Sequence, residues 1–184
     1  MHSPEHLTAA ELEAGQDHVM RAPKDGGELK LIVRRPAANE RETLATGELD
    51  VKTGLVGDTW KDRSSDRSED GLAHPDMQLN IMNTRVIELI AQQPERWQLA
   101  GDQLYVDMDL SDENLPAWTR LAIGSAVIQV TDQPHTGCAK FVERFGPAAL
   151  RWVSTQKGLN FRGINAKVIQ NGTIRQGDIV KRIS

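Results

Sequence analysis

The chain has 184 residues and a mass of 20.4 kDa, enough for one domain with a substantial core and short for two. Charged residues at 26% and hydrophobic residues at 39% argue against disorder, and apolar runs of only a few residues argue against a membrane span. The net charge of -4 conceals an asymmetry, because residues 1–137 carry 13 Lys and Arg against 24 Asp and Glu, whereas residues 138–184 carry 9 against 2. The basic residues are dispersed and thinly interleaved with aromatics, which favours a small anionic molecule over nucleic acid. Pairing with the acidic first part across the fold is the open alternative for each of them.

In chain order, Met1 to His6 lacks a basic and an apolar region, so no secretory signal is expected and a cytoplasmic location is the default. Residues 1–28 read as a peripheral segment, with a capping box at Thr8 and Glu11 opening a short helix to about Ala14 before Gly15, Pro23, Gly26 and Gly27 interrupt it. The domain proper is expected over residues 29–184. Leu29 to Arg35 alternates as a strand that Pro36 ends, and Thr46 to Val51 reads as a second. Gly54 and Gly57 in the following turn mark positions for positive φ or close backbone approach. Asp62 to Asp70, rich in Ser and charge, reads as a mobile loop.

Met77 to Asn83 alternates as a half-buried strand, and Thr84 caps a helix running to about Gln93. Further strands are predicted at 104–108, 120–132 and 165–183, and helices at 138–154 with a break at Gly146-Pro147. Asn171-Gly172 between apolar pairs is a hairpin signal. Short strands with few, separated helices predict a mainly β (α+β) protein, a distorted β-barrel with peripheral helices, rather than a doubly wound parallel sheet.

Cys138 is the only cysteine, which rules out an intramolecular disulfide and an all-cysteine zinc site. It stands in Gln133-Pro134-His135-Thr136-Gly137-Cys138-Ala139-Lys140-Phe141, between an apolar strand and a helical pattern. A helix N-terminus and the charges of Lys140 and Arg144 favour a thiolate there, a reactive nucleophile and soft-metal ligand. A small buried hydrophobe is the alternative. A hydrolytic Cys138 and His135 dyad is the poorer reading, since side chains three apart across a turn rarely face each other.

Five segments occur together in an order that resembles MOSC domains. They are Gly54-Leu55-Val56-Gly57-Asp58, Asp112-Glu113-Asn114-Leu115, Ile123-Gly124, the Pro134 to Lys140 turn, and Arg162-Gly163-Ile164-Asn165-Ala166-Lys167-Val168 running on to Gly172-Thr173-Ile174-Arg175-Gln176-Gly177-Asp178. The chain is similar to stand-alone bacterial members, relatives of the C-terminal domain of molybdenum cofactor sulfurases. The resemblance implies a distorted barrel whose cleft binds molybdenum cofactor (molybdopterin), and either reduction of N-hydroxylated compounds or sulfur transfer. It implies a small-molecule substrate and an electron-donor protein, and the composition and dispersed charge add the expectation of no nucleic acid and no membrane. Cys138 would be the metal ligand or sulfur carrier, His135 a proton donor, and Asn114 a cofactor contact. Lys140 and Arg162 would hold a phosphate, and Lys140, Arg162 and Lys167 are expected to converge on one cleft beside Cys138. The alternative function is a non-catalytic carrier of cofactor or sulfur. Departures from the family pattern are Gly137 where many members have Pro, and Ala73-His74-Pro75-Asp76 where the reductases carry His-Gly-Gly.

Overall fold

Apolar residues at alternate positions of Gly27–Arg34 form the first strand, β1, and both of its edges are used. The structure, a computed structural model, describes residues 5–184, so the first residues of the stretch read for a secretory signal lie outside it. The remaining strands are β2 (Glu42–Leu44), β3 (Thr46–Asp50), β4 (Gly54–Leu55), β5 (Leu79–Asn83), β6 (Leu104–Val106), β7 (Arg120–Ile123), β8 (Ala126–Val130), β9 (Ile164–Gln170), β10 (Gly172–Arg175) and β11 (Ile179–Arg182). Helices are α1 (Ala9–Met20), α2 (Thr84–Ala91), α3 (Ala139–Phe145) and α4 (Pro147–Thr155), and tight 3-10 turns lie at Thr59–Asp62, Pro75–Met77 and Pro94–Ala100.

Strands β11, β7, β8, β9, β5, β6 and β1 follow one another around a closed barrel, and the pairing of β1 with β11 through Gly27↔Val180 and Glu28↔Ile179 seals it. All pairings in the ring are antiparallel except β5 with β6. That parallel pair needs a crossover, which α2 supplies. A small sheet of β10, β3 and β4 covers one end. The mainly β fold expected from alternation is therefore the one observed.

Two apolar cores follow from the period of two. Ile32, Ile81, Leu104, Ile128 and Ala166 point into the barrel. Val33, Met82 and Tyr105, one residue on, point outward against Val86 and Ile87 of α2 and Phe141 and Phe145 of α3. Each large side chain buried in this way contributes roughly 1.5–3 kcal/mol. The outer core fixes α3, and with it the loop that carries the cysteine.

Two expectations are corrected. The first helix does not stop at Ala14 but runs through Gly15 to Met20, with Leu12 and Val19 buried and Leu89 of α2 packed where a Gly15 side chain would stand. Asn171-Gly172 is no hairpin either. The chain runs straight through it, leaving β9 paired with β8 and β5 and taking β10 to β3. Glycine is required at 172 because a Cβ there would occupy the backbone of Ser125 and Ala126, and Asn171 accepts from Val51 N and donates to Asp50. Gly54 and Gly57 do have positive φ, at 71° and 85°. The segment expected to be a mobile loop is tied down at Arg67, whose Nη1 donates to Pro134 O at 2.7 Å.

Candidate active site

Strand β8 ends at Val130, and the chain beyond it is held over the barrel mouth by its own neighbours. Asn165 of β9 accepts Thr131 N and donates from Nδ2 to Gln133 O at 3.0 Å. His135 and Cys138 are thereby set on the wall of a cleft of about 440 Å³. Cys138 has extended backbone, its side chain is exposed, and its carbonyl starts α3 by accepting from Phe141 N and Val142 N. The buried-hydrophobe alternative for Cys138 is therefore excluded.

Six cations line the cleft, namely Arg35, Arg41, Arg63, Lys140, Arg144 and Arg162, against the single carboxylate of Asp62. Two of them are anchored from beneath by fully buried acids. Asp58 receives Arg35 at 2.7 and 2.8 Å, and Asp102 receives Arg162 Nη1 at 2.8 Å. Arg162 also donates to Ala100 O and lies 4.9 Å over the Phe141 ring. The other four have no carboxylate partner among the described residues. Lys140 donates to Asn39 Oδ1, Arg144 to Leu99 O and Arg41 to Glu40 O, all neutral acceptors. The Nε groups of Arg41 and Arg162 are buried without any partner. Burial and the like charges of Arg144 and Arg35 push Arg41 below its ordinary value, and burial and Arg35 do the same to Arg63. Both nonetheless stay protonated at neutral pH. The cleft is thus a concentration of positive charge that lacks its counter-ions.

Asp102 also receives His135, whose Nε2 lies 2.7 Å from Oδ1. Burial opposes ionisation of Asp102, but the charge of Arg162 and the bonds from both partners outweigh it, and its carboxyl is held below the usual range. Burial and the neighbouring Arg162 push His135 down, more than Asp102 raises it. Both directions describe one state, with the Arg162 ion pair holding the carboxylate ionised and burial keeping the imidazole neutral. We therefore read the trio as an ionised Asp102, a charged Arg162 and a neutral imidazole.

Of the residues singled out in the sequence, Cys138, His135, Lys140 and Arg162 line this one cleft. Lys167 and Asn114 do not. Lys167 pairs with Asp76 at 2.7 Å and lies 5.7 Å from the Trp118 ring centre, so the expected convergence of three basic residues is corrected to two. Asn114 is buried and spends its Nδ2 on Lys24 O and Asp109 O, tying the 109–116 turn to the end of the N-terminal segment. His74 closes a 3-10 turn by accepting Asp76 N. Sequence reasoning set Arg144 beside Cys138, as observed, but missed Arg35, Arg41 and Arg63 as cleft residues and both buried acids. The one signal for Asp58 was its place at the end of the Gly-Leu-Val-Gly-Asp turn.

Among the described residues no group of three or more His, Cys, Asp or Glu side chains is placed to hold a metal ion. A metal here would bring most of its own ligands, with Cys138 adding one sulfur. The unpartnered guanidinium nitrogens and the exposed thiol on the same cleft fit an anionic, metal-bearing organic group. No helix among the described residues is long and apolar enough to cross a membrane.

Comparison with known proteins places these features in a family. The YUAD protein of Bacillus subtilis, in its crystal structure, superposes with a TM-score of 0.64 at 16% identity, over 85% of this chain and 94% of that one. YiiM from Escherichia coli does so with a TM-score of 0.54 at 19% identity, over 85% and 70%. YiiM from Geobacillus stearothermophilus gives 0.52 at 14% identity, over 88% and 74%. At such identities the likeness is one of fold. No curated protein matches the chain by sequence. The family model for the MOSC domain matches residues 68–181, more than half of the chain. With the closed barrel and the cysteine on its cleft, the chain belongs to the MOSC domain family.

Proposed function

We propose that the cleft binds molybdenum cofactor and that the protein is an oxidoreductase acting on N-hydroxylated compounds. The observation that carries the reading is the cleft's charge, with four cations unmatched by carboxylates beside an exposed thiol. A pterin phosphate supplies the missing negative charge, and a soft sulfur suits molybdenum. Arg41, Arg63, Lys140 and Arg144 would hold the phosphate, Arg35 and Arg162 would shape the wall from their carboxylate anchors, and Cys138 would ligate the metal. The bound cofactor supplies a two-electron centre able to exchange an oxygen atom. Reduction of a hydroxylamine takes up two electrons and two protons, breaks the N–O bond, and yields the amine and water. The electrons come from a partner electron-donor protein, and the cations orient anionic groups and exclude competing cations.

A second reading, a carrier that hands on cofactor or sulfur, is favoured by the exposure of the thiol to a partner. Metal analysis and intact mass of the purified protein, with Cys138→Ser beside it, test both. Bound molybdenum that is lost in the variant, with turnover of a hydroxylamine by the native protein, supports the enzyme. A mass increase of one sulfur on Cys138 without turnover supports the carrier. Neither metal, persulfide nor turnover in protein made by a cofactor-producing host would sink both.

A further inference from the structure

We infer that Asp102 is a positioning residue which fixes His135 as the proton acceptor of the cleft, with ring nitrogen Nδ1 as the accepting atom. Asp102 is fully buried and its two oxygens are divided, Oδ2 to Arg162 Nη1 at 2.8 Å and Oδ1 to His135 Nε2 at 2.7 Å. Held ionised by Arg162, the carboxylate is an acceptor only, so the imidazole must donate and its proton sits on Nε2. Nδ1 is left unprotonated and makes no hydrogen bond among the described residues.

The surroundings suit that role. The imidazole side chain is 10% exposed, so its orientation is set by packing rather than solvent. It lines the cationic cleft on one side and a second cavity of about 380 Å³ on the other. The charged groups that act on it are Asp102, Arg162 and Arg35, and burial together with the two cations favours the neutral ring against the pull of Asp102. Binding an anionic ligand in the first cavity screens those cations, which raises the basicity of Nδ1 when a ligand is present. A ligand O–H, N–H or S–H then passes its proton to Nδ1. The ring becomes imidazolium, its charge balanced by Asp102 across the Nε2–H bond, and Nδ1 then gives the proton back to a ligand in the cleft, as the proton uptake of a reduction requires. No oxidant or reductant is involved. The inference rests on the reading of this cleft as the reaction site, but its test needs no ligand.

Asparagine at position 102 provides that test. Its single carboxamide oxygen is claimed by Arg162, whose Nη1 has no other partner among the described residues, so the NH₂ group faces the imidazole. A donor facing Nε2 demands an acceptor there, and the proton must move to Nδ1. Long-range ¹H–¹⁵N correlation spectra of the native protein at pH 7 should show His135 with Nε2 protonated and Nδ1 bare. Asp102→Asn should reverse the two. Arg162→Gln, which keeps the carboxylate, should retain the native tautomer while the ring takes up its proton at higher pH. A native ring bearing hydrogen on Nδ1, or doubly protonated at pH 7, overturns the inference, and so does an Asp102→Asn spectrum with the tautomer unchanged. If Asp102→Asn does not fold, the native spectrum and Arg162→Gln decide. Loss of molybdenum binding with the tautomers as expected would count against the cofactor and not against the Asp102–His135 couple.

Discussion

Replacing Asp58 should unfold the protein's cationic wall before anything else. Its carboxylate is fully buried and accepts Arg35 N, Nε and Nη2, Trp60 N and, at 3.4 Å, Gln103 Nε2. Asp58→Ala leaves the Arg35 guanidinium 6% exposed, without a counter-charge and with other cations nearby. Breaking one side of a buried pair costs about 3–5 kcal/mol, a large part of the roughly 5–15 kcal/mol that holds a domain together. For a chain of this length that corresponds to a melting temperature lower by about 6–20 °C. Urea unfolding of native protein, Asp58→Ala, and the double variant Asp58→Leu with Arg35→Met should show the single variant as the least stable of the three, because the double variant leaves no unpaired charge. A single variant within about 1 kcal/mol of native, a size typical of surface substitutions, would refute the view that Asp58 neutralises this wall. The same pair sets the acid limb. Burial alone would raise the Asp58 carboxyl, yet the hydrogen bonds and charge of Arg35 hold it below its usual value. A depressed carboxyl lends stability in full above the unfolded value near 3.9 and loses it as pH falls through the lower folded value. Native protein should therefore lose stability steeply below about pH 4, and the double variant less so.

Cys138→Ser should cost under about 1 kcal/mol in urea unfolding, and the native thiol should be alkylated without unfolding, since the side chain is exposed. Sulfate should raise the melting temperature more than chloride at equal ionic strength, by occupying the cation cluster. Arg41→Gln should diminish that difference while leaving the sulfate-free protein no less stable, because it removes a cation held beside Arg144 and Arg35. Gly172→Ala should destabilise by about 1–3 kcal/mol or more, because a methyl has no space against the Ser125 and Ala126 backbone. A circular dichroism melt of that variant matching the native one would contradict the close approach.

The strands and the helix pair at Gly146-Pro147 were legible because alternation and Pro at the first turn are local signals. Asn171-Gly172 misled because its usual meaning, a tight turn, competes with a tertiary demand for a residue without a side chain where two strands cross. The cysteine, His135, Lys140 and Arg162 were found on the cleft since they flank one loop or complete one motif. Arg35, Arg41 and Arg63 stayed hidden for a physical reason. Counting charge along the chain assigned them to an acidic region, yet folding gathers the three cations on one cleft, where Asp62 is the single lining carboxylate and Asp58 is buried beneath Arg35. They also precede residues 68–181, which the family model matches. Lys167 looked equivalent in sequence, and only the position of Asp76 on the neighbouring turn takes it elsewhere.

The seam between β1 and β11 has a consequence for synthesis. Gly27 and Glu28 leave the ribosome about 150 residues ahead of Ile179 and Val180, their partners across the seam. At translation rates of about 5–20 residues per second, the first strand waits roughly 8–30 s with one edge open. Closure is among the longest loops the chain makes, and long-range pairings of this kind form late. Until then the unpaired edge of Gly27, Glu28 and Leu29 is presented to any other chain nearby. Expression at lower temperature, or with strand-edge-binding chaperones in excess, should thus raise the soluble yield by protecting the nascent N-terminal strand, and loss of the last six residues, of which only Val180 is buried, should be far more damaging in the cell than that single core contact implies.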